Sequence, residues 1–198
     1  MVRRHSGLEH RRPRALAWLA AWLLWAGAMA PLSAQDAAHE WNPRTGDAWT
    51  DRQLADVNAY AARYPDAFVD ELVRYFDLPR ALAGELIGER RWAPGDVYYA
   101  CALAQVAGRP CRAALDAWAD GHADGWAAIA GSLGIAPRSE SAARVRMAFV
   151  DSYARWARPI APDASLAREI RVRERERRRA AAAAAAQQTQ HARKRRKD

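Results

Sequence analysis

Lysine is almost missing from this chain, cysteine is scarce, and no segment carries a convincing strand pattern. Of the 31 basic residues only Lys194 and Lys197 are lysines, both in the last five positions. Heavy use of Ala and Arg with so little Lys looks like GC-rich coding and carries no chemistry. Without strand-like alternation, sheet architectures drop out and an all-α chain remains. The two cysteines, Cys101 and Cys111, are not spaced as Cys-X-X-Cys, which argues against catalytic redox use. No motif for a recognisable reaction is found, and no cofactor or metal is expected.

What is present begins at the N-terminus. Arg3, Arg4 and the cluster Arg11-Arg12-Pro13-Arg14 precede an apolar run over 15–32, and Ser33-Ala34 supplies a small-residue exit. A basic start, an apolar core and a small residue at the cut are the parts of a secretory signal peptide, here 1–34 with cleavage near Ala34. An uncleaved anchor is the alternative, since the run is near the lower limit of roughly 17–25 residues for a membrane span. Pro31 breaks a helix just before the exit and favours cleavage. No cysteine lies near the exit to take a lipid anchor. Pro13 after Arg12, without a following Phe-Leu context, argues against a twin-arginine signal. The expected location is periplasmic or secreted.

Charge is divided along the chain. Over residues 35–167, 14 Arg stand against 18 Asp and Glu, a net −4, while residues 168–198 carry a net +8. The chain reads as a mildly acidic domain with a basic arm. Residues 35–49 form an exposed lead-in and 50–162 a helical domain. Thr50-Asp51 should cap a first helix, Pro65, Pro79 and Pro110 open further ones, and Asp96 caps another through Cys101 to Gly108. A short helix through Trp126 closes at Gly134, and a longer one spans 139–157 with Val145, Phe149 and Tyr153 on one face. Residues 79–110 and 110–137 share a Pro-helix-turn-helix-Gly-X-Pro pattern, which leaves a two-unit helical-hairpin repeat open beside a compact bundle of short helices. Trp92, Trp118, Trp126 and Trp156 sit beside apolar faces and read as core. Residues 163–186 predict a projecting helix rich in Arg, Glu and Ala, and 187–198 a disordered basic tail.

Several constellations are candidates for chemistry. An even cysteine count in an exported chain predicts a Cys101–Cys111 disulfide. A helix from Asp96 to Gly108 would put Cys101 about 10 Å from its end, so the bridge requires Gly108-Arg109-Pro110 to double back. Asp120, His122 and Asp124 could ligate a metal, but helix capping explains them better. Glu85, Glu89 and Asp96 flank the Trp92 turn and could serve a cell-wall hydrolase as acid and base. Residues 126–146 are spaced like a helix-turn-helix, with Arg144 and Arg146 on the second helix. Export makes nucleic acid an improbable partner.

The segment Gly125-Trp-Ala-Ala-Ile-Ala-Gly-Ser-Leu-Gly-Ile-Ala-Pro137, preceded by Trp92-Ala-Pro-Gly-Asp-Val-Tyr-Tyr, resembles uncharacterised exported helical proteins of Gram-negative bacteria with a Gly-Trp-X-X-Ile-Ala-X-X-Leu-Gly element. Ala127 stands where Gly is usual after the Trp. The resemblance implies export and helices and supplies no site residues. The function expected is a non-enzymatic envelope module. Its arm, through Arg177, Arg178, Arg179, Arg193, Lys194, Arg195, Arg196 and Lys197, would bind anionic surfaces such as lipopolysaccharide phosphates or anionic lipid.

Overall fold

The computed structural model describes residues 41–195, and the leader read at 1–34 lies outside them. The chain divides into two units, Met1–Asn42 and Pro43–Asp198; the second is all helix, with no strand among the described residues. Its order is α1 (Ala48–Arg63), α2 (Pro65–Phe76), α3 (Arg80–Gly84), a π turn (Glu85–Glu89), α4 (Pro94–Val106), α5 (Cys111–Gly121), a 3₁₀ turn (His122–Asp124), α6 (Trp126–Ser132), α7 (Glu140–Arg155) and α8 (Ala164–Arg195).

The helix starts follow from local chemistry, with two corrections. Asp47, not Thr50 or Asp51, caps α1: its carboxylate accepts from the Trp49 N–H at 3.1 Å and the Thr50 hydroxyl at 2.7 Å. Asp51 instead accepts from the Thr45 N–H and hydroxyl, tying the lead-in to the helix. Asp96 does not cap α4 either. Pro94 occupies the first turn, where its missing N–H costs nothing, and Asp96 is buried two residues on. Pro65 and Ser139 begin α2 and α7 as their types predict, with Ser139 Oγ accepting from the Ala142 N–H at 3.1 Å.

α4 is the centre. Every residue from Gly95 to Ala104 is buried, as expected for a helix apolar on all sides. Its small side chains (Ala100, Cys101, Ala102, Ala104) let α1, α2, α5 and α7 pack around it. Tyr98 fills the middle, edge-on to Phe76 at 5.3 Å and tilted against Phe149 at 4.9 Å. The four tryptophans read as core are not equally enclosed. Trp126 is fully buried, while Trp92, Trp118 and Trp156 are half-buried. Trp156 lies stacked on Tyr60 at 4.2 Å. The two hairpins of the possible repeat differ in form: the first pairs α4 with a five-residue helix that widens into a π turn, the second pairs α5 with α6.

Burial, ahead of all other causes, pushes the phenols of Tyr98, Tyr99 and Tyr153 well above their ordinary value of 10.0. Tyr153 is raised further by its hydrogen bond to Asp56. Because the folded values are raised, the stabilisation is complete below pH 10 and is lost as pH climbs towards the folded values, since the unfolded chain releases these protons first. A spectrophotometric titration should therefore show three of the six tyrosines ionising only together with the loss of helical circular dichroism. Smooth ionisation of all six with the helix signal intact would contradict this packing.

Candidate polyanion interface

α8 is fixed at its root and exposed beyond Arg173. Asp163 caps it, accepting from the Ser165 and Leu166 N–H groups at 3.0 and 2.9 Å. The Leu166 N–H bond is the main cause that holds the Asp163 carboxyl below its usual range; burial opposes it and Arg146 adds to it. Arg146 bridges Asp163 at 2.5 Å and Asp47 at 3.4 Å while its guanidinium lies 4.7 Å from the Trp49 ring centre. The Trp49 indole N–H donates to the Ala161 carbonyl at 2.9 Å. One arginine and one tryptophan thus join the starts of α1 and α8 to α7. Leu166 is fully buried, and Arg173 reaches Asp151 of α7 at 2.8 Å, with Arg177 following at 3.9 Å. From Glu174 to Gln190 every residue is exposed.

The helix does not stop at Ala186. It continues to Arg195, through Gln, Ala and Arg residues that favour helix and with no Gly or Pro to end it. The sequence reading of a disordered tail from 187 therefore meets helix over 187–195, and 196–198 lie outside the described residues. Of the arginines assigned to anion binding, Arg177 sits beside Asp151, while Arg178 and Arg179 are exposed without an ion pair among the described residues. The side chains of Arg193, Lys194 and Arg195 are not described, and Arg196 and Lys197 lie outside the described residues.

The other candidates divide. Cys101 and Cys111 are bonded, with Cα atoms 4.3 Å apart. The chain doubles back as the bridge requires: Gly108 takes φ +66° and the Arg109 N–H returns to the Ala104 carbonyl at 2.8 Å. Glu85, Glu89 and Asp96 do not form a set. Asp96 is 5% exposed and accepts from the Trp126 indole N–H at 2.7 Å, Glu85 pairs with Arg90 at 2.6 Å, and Glu89 points to solvent. Among the described residues no cluster of His, Cys, Asp and Glu could hold a metal.

The Asp120–Asp124 turn is not held by capping carboxylates, since α6 has no side-chain cap. Arg44 of the lead-in holds it by donating to the His122 and Ala123 carbonyls at 3.1 and 2.5 Å. Gly125 is required there: at φ +80° an added Cβ would meet the Arg44 Cβ at 2.8 Å. The Gly-Trp element of the resemblance is thus a structural corner. Trp126 stacks on Trp118 with centres 4.0 Å apart and meets Tyr99 edge-on. In the helix-turn-helix reading, Arg146 is occupied inside the α8 root and Arg144 lies 3.8 Å from Glu140.

A groove of about 1080 Å³ runs between the start of α1, the α6–α7 turn, α7 and α8. Five arginines and five carboxylates line it, so it has no net sign to concentrate an anion. The densest run of exposed arginines among the described residues is on α8, from Arg168 to Arg179. Among the described residues no helix is long and apolar enough to cross a membrane. The chain matches no known protein family, no curated protein and no solved structure.

Proposed function

We propose that this protein is a non-enzymatic, exported helical module whose arm α8 binds polyanions of the cell envelope. The observation that carries the reading is the exposed stretch of α8 beyond Arg177, within a segment of net charge +8 attached to a body of net charge −4. Arginine suits phosphate-bearing partners because its planar fork donates two parallel hydrogen bonds to one phosphate. The Cys101–Cys111 bridge supports export, since such bonds persist in oxidising compartments. The basic, apolar and small-residue order of 1–34 supports it independently.

The test is retention on immobilised inorganic polyphosphate, comparing the full chain with one ending at Ala167, which keeps the buried Leu166. The full chain should elute at clearly higher salt, because exposed charges are screened over about 8–10 Å near physiological ionic strength. Equal elution of the two would remove the arm from binding.

A further inference from the structure

The positive charge of α8 is sorted by face. At 3.6 residues per turn, successive side chains are about 100° apart. With Arg175 as the centre line, Arg168, Arg171, Arg178 and Arg179 all fall within about 60° of it. Leu166, Arg173 and Arg177, which meet the body, lie on the opposite side. Glu169, Glu174 and Glu176 fall on the flanks, about 100–120° from the centre. The outward face is a row of five arginines about 16 Å long with no acidic residue in it. All five are exposed, and none has an ion-pair partner among the described residues. Arg168 stands at the rim of the groove, and the other four are clear of it.

Resting on the polyanion reading, we propose that α8 lies lengthwise on an anionic phospholipid surface, with Arg168, Arg171, Arg175, Arg178 and Arg179 against the headgroup phosphates. The flanking glutamates select a flat partner. A nucleic-acid groove has phosphates along both walls, so a helix seated in it would press Glu169, Glu174 and Glu176 towards negative charge. On a planar array of headgroups only the bottom face is close, and the flanks stay in water. The row also lacks the large apolar residues with which an amphipathic helix enters the acyl region; only Val172 stands at its edge. The contact is therefore electrostatic and superficial, and it weakens with salt.

The experiment is sedimentation of the full, oxidised chain with vesicles of equal parts phosphatidylcholine and phosphatidylglycerol at low salt. The variant R171Q/R175Q/R179Q is compared with R63Q/R109Q/R112Q, which removes the same charge from exposed positions on the body. Each arginine at an anionic surface contributes about fivefold in affinity, so the row variant should lose about 100-fold and the body variant little. Equal losses would overturn the row in favour of net charge alone, and the arm itself is decided separately by the chain ending at Ala167 on polyphosphate. A wild-type chain that binds polyphosphate but not these vesicles would overturn the membrane partner only. Tighter binding to duplex DNA than to vesicles at the same salt, lost in the row variant, would replace the membrane with nucleic acid. Binding to none of the three would end both readings.

Discussion

Replacing Cys101 and Cys111 together by alanine is expected to lower the unfolding free energy by about 3 kcal/mol. The bridge spans a sequence separation of ten, and closing a loop of that length removes roughly this much free energy from the unfolded chain in the loop-entropy account. For a domain of this size the melting temperature should fall by about 6–12 °C. The location explains why the loss should be felt throughout. Cys101 is buried in α4, against which four other helices pack, and Cys111 begins α5. The bridge holds these two helices across the Gly108 reversal, the tightest turn between them. Reduction of the wild-type chain should reproduce the destabilisation, and intact mass should show the oxidised form two hydrogens lighter. Identical melting of oxidised, reduced and alanine forms would mean that the bridge contributes nothing.

The helical architecture was readable because its punctuation is local. Pro65, Pro79 and Pro110 sit at helix starts, Ser139 caps α7, and Gly134 at φ +78° lets Ile135 return to the Ala130 carbonyl. The errors arose where a side chain serves a distant partner. Asp96 resembles a cap, yet its partner is Trp126, thirty residues on. Arg44 lies in a stretch without periodicity, yet its carbonyl partners are 78 and 79 residues away. For the arm, composition gave the charge but not its disposition. Arg173 and Arg177 are chemically identical to Arg175 and Arg179, and it is the buried Leu166 and the position of Asp151 on α7 that distinguish the body side of α8 from the outer side. A polar tail that cannot bury apolar area predicts disorder from 187, yet the helix runs on. Helix propensity alone carries the backbone on to Arg195.

The same blindness to distant partners hid the charged pair whose disruption should cost most. Asp70 and Glu71 read alike as acidic residues near the start of α2, but Glu71 is 3% exposed and faces α7. Arg155 Nε donates to both Glu71 carboxylate oxygens at 3.0 Å, and its Nη2 adds a further bond. Ser152 Oγ donates to the same carboxylate at 2.7 Å and accepts from the Tyr98 hydroxyl at 2.9 Å. The guanidinium lies 3.8 Å from the Tyr75 ring centre, which covers its outer side. Arg155→Ala would leave a buried carboxylate with Ser152 as its remaining donor in this network. The expected loss is about 3–5 kcal/mol, read from urea unfolding, because the carboxylate's desolvation is no longer offset. Arg155→Lys should fall between wild type and alanine, since a lysine supplies the charge without the two-pronged geometry. The apolar double variant Glu71→Leu with Arg155→Met should be more stable than Arg155→Ala alone, despite carrying two substitutions, because it removes the buried charge with its partner. That inversion separates a buried ion pair from a surface one. If Arg155→Ala costs less than about 1 kcal/mol, the range of exposed pairs, then water reaches Glu71 and α7 is not held to α2 by this bond.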